Sequence, residues 1–232
     1  MKTEVFITGT GQGIGSSLSE LLLNLDFRVT GISRNNSINH KKFCFLKYDL
    51  SEINDVHKIA FNHSKAQKVV LINNAATIGA ISPFKEMKYS DIIYDYNLNL
   101  ISPVILTRKF LKAYIDKELV VINISSGAAS KSIASWSTYC SSKSALEAFA
   151  KVIAIENHKN LKVFNFRPGI VDTKMQEKIR STAPSKFPSV NKFKDFYKEK
   201  KLLDTYYVAK KIAYLIQNSN DFDSKTLHIS EI

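Results

Sequence analysis

Tyr139 and Lys143 stand four residues apart, the spacing that brings two side chains onto one face of a helix. A free tyrosine titrates near pH ~10 and is a poor acid–base group at neutrality. An ammonium one turn away favours the phenolate and lowers that value, so the pair can move a proton. Ser126, thirteen residues upstream of Tyr139, adds a hydroxyl able to donate to an oxygen on which charge develops. The Tyr-x-x-x-Lys spacing alone is not selective, because Tyr197/Lys201, Tyr206/Lys210 and Tyr207/Lys211 repeat it. Only the first copy has Ser126 ahead of it, in a chain that opens on the turn Thr8-Gly9-Thr10-Gly11-Gln12-Gly13-Ile14-Gly15.

Positioning these groups requires a scaffold, and the hydrophobic periodicity supplies one. Apolar runs predict strands near 4–8, 28–32, 43–47, 68–72, 119–124, 161–166 and 226–229. Helical patterns fall near 14–25, 52–63, 90–113, 138–157 and 205–218. Alternation of the two predicts a doubly wound α/β domain over 1–232, a seven-stranded parallel sheet with helices on both faces. Ligands in such folds bind outside the carboxyl ends of the strands, where strand order reverses. The polar, Lys- and Pro-containing stretch 174–202 reads as a mobile lid over that end.

Gly9, Gly13 and Gly15 follow the first strand and lead into a helix. Glycines there allow a tight turn, close approach of the backbone to a pyrophosphate, and close helix–strand packing, while the helix N-terminus offers N–H donors. The second strand ends in Ser33-Arg34-Asn35 rather than in a carboxylate. A hydroxyl followed by a guanidinium suits a ribose 2′-phosphate, so NADP(H) is expected in preference to NAD(H), which remains possible.

These elements, in this order, resemble the short-chain dehydrogenase/reductase family across nearly the whole chain. The matching positions are the turn at 8–15, Asp49-Leu50, Asn73-Asn74-Ala75-Ala76, Asn99, Ser126, Tyr139-x-x-x-Lys143, Pro168-Gly169 and Thr173. The resemblance implies a Rossmann fold and an NAD(P)-dependent oxidoreductase. It places Gly9, Gly11, Gln12, Gly13, Ile14, Gly15, Ser33, Arg34, Asp49, Leu50, Asn74, Ala75, Ala76, Tyr139, Lys143, Pro168, Gly169, Val171 and Thr173 at the cofactor. Within that set Asp49 would contact adenine and Thr173 the nicotinamide amide, while Asn73 would support the central strands. Reducing a carbonyl needs a proton for the developing alkoxide, which assigns Tyr139 as donor, Ser126 as oxygen ligand and Lys143 as the group that tunes Tyr139 beside the nicotinamide. By resemblance Lys143 also bonds the nicotinamide ribose, and Asn99 holds a water that relays protons.

Two assignments involve neighbours. The thirteen-residue interval favours Ser126 over Ser125, and Pro103 and Thr107 at four and eight residues beyond Asn99 favour it over Asn97. Ala76 stands where the family usually has Gly. The stretches Val121–Ala129, Trp136–Lys143 and Asp172–Gln176 look most like the sepiapterin reductase and bacterial benzil reductase branch, implying reduction of a ketone or of one of two adjacent carbonyls. Ser126, Trp136 and Tyr139 would face that substrate, and Phe187, Phe193, Phe196 and Tyr197 either line its pocket or anchor the lid. A ketoreductase acting on a biosynthetic sugar, polyketide or acyl intermediate is a second reading, and a non-catalytic NADP-binding sensor a third.

The net charge is +12, half of it between Lys174 and Lys201, where nine Lys or Arg meet Glu177, Asp195 and Glu199. A solvated lysine-rich surface explains this better than nucleic acid, for which no partner role is expected. No run of ~20 apolar residues could cross a bilayer, and Met1-Lys2-Thr3-Glu4 passes at once into Val5-Phe6-Ile7 without a signal-peptide pattern. With only Cys44 and Cys140 for thiols, a reduced cytoplasmic protein is expected. His40, His57, His63, His158 and His228 have no metal spacing, so no metal is expected. The resemblance also implies a homodimer or homotetramer paired through the helices at 90–113 and 138–157.

Overall fold

A computed structural model describes residues 3–156, 160–223 and 225–232. Seven strands form one parallel sheet in the order β3-β2-β1-β4-β5-β6-β7. They are β1 Thr3–Thr8, β2 Arg28–Ser33, β3 Phe43–Lys47, β4 Lys68–Asn73, β5 Glu118–Ile124, β6 Leu161–Arg167 and β7 Thr226–His228. Strand residues alternate between the two faces of a sheet, and here both faces are buried. Val5, Ile7, Val70, Ile72, Val120, Ile122, Phe164 and Phe166 pack on one side. Phe6, Val69, Leu71, Leu119, Val121 and Val163 pack on the other. Two cores explain the near-continuous apolar runs in the sequence.

Helices α1 (Gly13–Asn24) and α8 (Thr205–Gln217) cover the first face. Helices α4 (Ser102–Ala113) and α5 (Ser137–Ile155) cover the second, with α2 (Ile53–Lys58) beside α4. Strand order reverses between β1 and β4, whose chain ends diverge to opposite faces and open a crevice above the sheet.

The helix expected over 52–63 ends at Lys58. Beyond it the chain turns extended so that Ile59 is buried and Phe61 joins an edge-packed cluster with Phe6, Phe110 and Tyr114. The helix expected over 90–113 is three pieces: α3 (Tyr89–Tyr96), one π turn at Asn97–Ile101, and α4. Pro103 lacks the N–H that a regular helix needs, and the wide turn before it absorbs the mismatch. The stretch 174–202, given no helices from sequence, holds α6 (Lys174–Ser181) and α7 (Val190–Lys198). The C-terminal strand stops at His228, and Ile229 begins a 3₁₀ turn. The far end of the helix expected over 138–157, like His158, lies outside the described residues, as do Met1 and Lys2.

A row of buried carboxamides crosses the middle of the sheet. Asn73 pairs in register with Asn123 and Asn123 with Asn165, and Asn165 pairs with Thr226. Their side chains bond in sequence: Asn73 Nδ2 to Asn123 Oδ1 at 2.8 Å, Asn123 Nδ2 to Asn165 Oδ1 at 3.3 Å, and Asn165 Nδ2 to Thr226 Oγ1 at 3.3 Å.

Candidate active site

A cavity of about 1410 Å³ lies above the carboxyl ends of the strands. Of the catalytic and cofactor residues expected from sequence, all but Gly15 and Asn99 line it. Those two lie buried behind the wall. Asn35, Tyr48 and Ile170 also line it and were not expected, although each neighbours a residue that was.

The glycine turn is shaped by two needs. Gly9 has φ of +75°, a conformation that side chains resist, and an added Cβ would sit 2.9 Å from Ala75 Cα. At Gly15 an added Cβ would meet the carbonyl oxygen of Gly9 at 2.2 Å and Asn74 Nδ2 at 2.6 Å. Helix α1 therefore starts directly against the β1 turn, with no side-chain cap and no acidic residue in its first turn. Its N–H groups stay available to an anion. Thr8 ties the turn to the β4 loop, its hydroxyl accepting from the backbone N–H of Asn74 at 2.9 Å and Ala75 at 3.0 Å. Asn74 returns two bonds to the carbonyls of Thr8 and Gly9. Ala76 lines the cavity without positive φ, so its Cβ causes no strain. These features fit a dinucleotide with its pyrophosphate on α1.

At the far end of the crevice Ser33 donates to the carbonyl of Asn35 at 2.6 Å and meets Thr10 at 3.2 Å. Arg34 is 62% exposed on its side chain, and its guanidinium stands 3.7 Å from Asp49. Asp49 is otherwise engaged with Ser51, accepting from its N–H at 3.0 Å and its hydroxyl at 2.7 Å. Arg34 is thus an exposed cation at the cavity rim, held by one loose ion pair.

Elsewhere along the cavity the strands and helices bring Ser126, Tyr139 and Lys143 together. Ser126 follows β5 and lines the cavity together with the Tyr139 phenol. Its oxygen also accepts from the N–H of Ala128 at 3.1 Å. Lys143, one turn along α5, donates to the carbonyl of Ile124 at 2.7 Å. Burial raises the Tyr139 phenol above its usual value, with the neighbouring Ser126 hydroxyl opposing. The sequence reading had the phenol lowered by Lys143. Instead the lysine is itself buried, and burial pulls its ammonium down to about 8 against the pull of Glu147.

The members of the two neighbouring pairs have different partners. Ser125 turns from the cavity centre to donate to Glu147 at 2.6 Å, within a buried pair that Glu147 makes with Arg167. Asn97 donates to the carbonyl of Ser51 at 3.1 Å. Asn99, in the π turn, grips Thr77 from both sides, accepting from its N–H at 2.8 Å and donating to its carbonyl at 2.9 Å. It thereby fixes the loop carrying Ile78, a cavity residue the sequence reading missed. The other Tyr-x-x-x-Lys copies are surface features. Lys210 lies over the Tyr206 ring and Lys211 over the Tyr207 ring, while Lys201 pairs with Glu199.

The excursion 174–202 is pinned at its stems by a parallel bridge between Val171 and Leu203. Trp136, Phe187 and Phe193 anchor it in a shared cluster with Tyr139, while Phe193 and Phe196 also line the cavity. Phe187 therefore serves as an anchor and Phe193 does both, whereas Tyr197 is exposed beneath the Arg180 guanidinium. Lys178 reaches across to the carbonyl of Gly79 at 2.9 Å. Met175, Gln176 and Ile179 complete the cavity wall from α6, a role that the 174–202 charge pattern concealed. Among the described residues no group of His, Cys, Asp and Glu could hold a metal ion, and no helix is long and apolar enough to cross a membrane.

The short chain dehydrogenase family model matches residues 3–184. The chain belongs to the short-chain dehydrogenase/reductase family. It is 33% identical to a benzil reductase, (S)-benzoin forming, of Bacillus cereus, over 98% of this chain and 99% of that protein. To a sepiapterin reductase of Xenopus tropicalis it is 37% identical over 66% of this chain and 59% of that protein. Among solved structures, a short-chain dehydrogenase/reductase from Saccharomyces cerevisiae superposes with a TM-score of 0.87 at 26% identity, covering 99% of this chain and 96% of that one. The Bacillus and Xenopus relatives match the branch that the Trp136–Lys143 and Asp172–Gln176 stretches resemble. The chain is accordingly an oxidoreductase of a family that takes a nicotinamide dinucleotide.

Proposed function

We propose that the enzyme reduces a carbonyl of a small ketone or diketone with NADPH, Tyr139 donating the proton. The observation that carries this reading is the convergence of Ser126 with the buried Tyr139 and Lys143 on the same cavity as the glycine turn. The names of the Bacillus and Xenopus relatives support a carbonyl substrate. When bound, the dinucleotide supplies hydride. Ser126 and Tyr139 hold the substrate oxygen with their hydroxyls. Because burial keeps the Tyr139 phenol protonated through neutrality, it can release its proton as the oxygen gains charge. Lys143, positively charged below about pH 8, steadies the phenolate left behind and bonds the nicotinamide ribose. Asn99 holds the adjoining loop, and a water at this turn would relay a proton to Lys143.

The preference for NADPH rests on Ser33 and Arg34 at the β2 end and on the engagement of Asp49 with Ser51. The remaining cofactor contacts are assigned to the cavity residues named from sequence, with Gly15 acting beneath the turn. Exposed Tyr89, Ile93, Ile101, Val152 and Ile155 on α3, the π turn and α5 support a homo-oligomer built on those helices. The segment 174–202 acts as a lid, and the protein works in the cytoplasm. An NADPH-oxidation screen with diketones, quinones and aldehydes tests the whole reading. Turnover with at least one of them is expected, and tight NADPH binding with none would refute catalysis.

A further inference from the structure

Behind the cavity wall, segments from different parts of the chain meet at one buried carboxylate. Asp95 belongs to α3, is 1% exposed and does not line the cavity. Its Oδ2 accepts from the Thr138 hydroxyl at 2.7 Å. Thr138 is also buried, lies in the first turn of α5 and immediately precedes Tyr139. That helix begins with no side-chain cap and no acidic residue of its own. Asp95 therefore supplies, from another helix, the negative charge that a helix N-terminus favours.

The same carboxylate carries the loop that follows β4. Gly79 has φ of +72°, and a Cβ added there would fall 2.0 Å from Asp95 Oδ2 and 2.5 Å from Oδ1. The loop backbone thus lies directly on the carboxylate, at a position that only glycine fits. Lys178 of α6 donates to the carbonyl of this glycine at 2.9 Å. Burial pushes the Asp95 carboxyl up, helped by Asp91 on its own helix and opposed by the Thr138 hydroxyl and the Lys178 ammonium. The sequence neighbours of these polar residues form the wall itself. Ile78, Tyr139 and Ile179 adjoin Gly79, Thr138 and Lys178 respectively, share one apolar cluster and line the cavity.

We propose that Asp95 is a positioning residue for proton transfer, fixing the Tyr139 phenol relative to the wall that Ile78 presents to the substrate. This rests on the carbonyl reductase reading above and adds to it a determinant away from the cavity lining. Thr138 fixes the turn of α5 that carries the phenol, and Gly79 fixes the loop that carries Ile78. Both rest on the same two oxygens, so neither segment shifts without the other. The spacing between proton donor and apolar wall is set from behind, by a group that exchanges no proton with the substrate.

Steady-state kinetics with NADPH and benzil test this. Thr138→Val removes the hydroxyl at nearly constant shape, Asp95→Ala removes the acceptor, and Thr138→Ser keeps the bond. The first two are expected to lower kcat about tenfold, short of the roughly 100-fold that a misplacement of about 1 Å can cost, with KM for NADPH unchanged. Thr138→Ser should restore kcat, and the Asp95→Ala/Thr138→Val double variant should be no worse than the more severe single. Tyr96→Phe is the control. It breaks another link between α3 and α5, the 2.8 Å contact of the Tyr96 hydroxyl with Ser141, and should leave kcat as it is. Lower melting temperatures with kcat intact, additive losses, or an equal loss in Tyr96→Phe would overturn the proposal. If Asp95→Ala does not fold, Thr138→Val against Thr138→Ser decides alone. Absence of turnover in the wild type would instead refute the carbonyl reductase reading, and the cofactor-free enzyme then tests the positioning role by NMR. With tyrosines isotopically labelled at the phenol carbon, the Tyr139 resonance, assigned through Tyr139→Phe, should shift in Asp95→Ala and stay in Tyr96→Phe. An unmoved resonance in Asp95→Ala overturns the proposal.

Discussion

Replacing Glu147 by Ala probes how helix α5, which carries Tyr139 and Lys143, is anchored. The Glu147 carboxylate accepts from Arg167 Nε at 2.8 Å and from its terminal nitrogen at 2.7 Å, and from the Ser125 hydroxyl at 2.6 Å. Its side chain is 6% exposed and that of Arg167 23%. Removing one partner of a buried ion pair typically costs about 3–5 kcal/mol. Arg167 keeps some contact with water, which places this case at the lower end, about 3 kcal/mol. A domain stable by about 5–15 kcal/mol still folds after such a loss. Urea unfolding should report the loss as a lower midpoint at constant m-value. In a double-mutant cycle, Arg167→Ala in the same background should cost far less than it does alone. There is also a kinetic signature. Glu147 raises the Lys143 pKa against burial, so its removal lets the ammonium lose its proton below about pH 8. The alkaline fall in kcat/KM for reduction should therefore move to lower pH. A stability loss under about 1 kcal/mol, or an unmoved alkaline limb, would refute this account.

Other substitutions separate the remaining roles. Ser126→Ala should cut kcat about 100-fold, as loss of one donor to a developing oxyanion does, whereas Ser125→Ala should cost about 1 kcal/mol of stability and far less rate; steady-state kinetics and unfolding curves check both. Arg34→Ala should raise KM for NADPH about tenfold or more with little change for NADH, read from initial rates with each cofactor. Gly15→Ala should lower both cofactor affinity and melting temperature, because its Cβ falls 2.2 Å from the Gly9 carbonyl oxygen. Lys143 has a folded-state pKa depressed from 10.5 to about 8, so its stabilisation of the cofactor-free enzyme is complete above pH 10.5 and lost as pH falls through 8. The difference in unfolding free energy between wild type and Lys143→Met should grow across that window, by up to about 3 kcal/mol.

The sheet and the glycine turn were legible because each has a local cause. Apolar runs such as Val120–Ile124 mark strands buried on both faces, and glycines at 9, 13 and 15 mark one turn. The Ser126–Tyr139 interval was legible for the same reason, since one strand end and the next helix fix it. The pairing of Glu147 with Arg167 was not, because it joins α5 to β6 through tertiary packing that no periodicity records. The π turn carried a readable warning in Pro103. The helices α6 and α7 did too, with Met175 and Ile179 four apart and Val190 and Phe193 three apart, but dense lysines drew attention to charge instead. The direction of the Tyr139 shift depended on burial, which spacing does not give.

The asparagine row through β4, β5 and β6 has a consequence for how the chain folds. Strands apolar on both faces are poor at recognising their own alignment, since sliding one by two residues presents an equally greasy surface. One carboxamide at the same level of each central strand removes that degeneracy. A slipped partner would bury amides opposite valine or isoleucine with their hydrogen bonds unmet. The row acts as a key cut across the sheet, and it sits one residue below Asn74 and two below Ser125. Strand alignment is therefore set within a few ångströms of where the glycine turn, Ser126 and Tyr139 must meet.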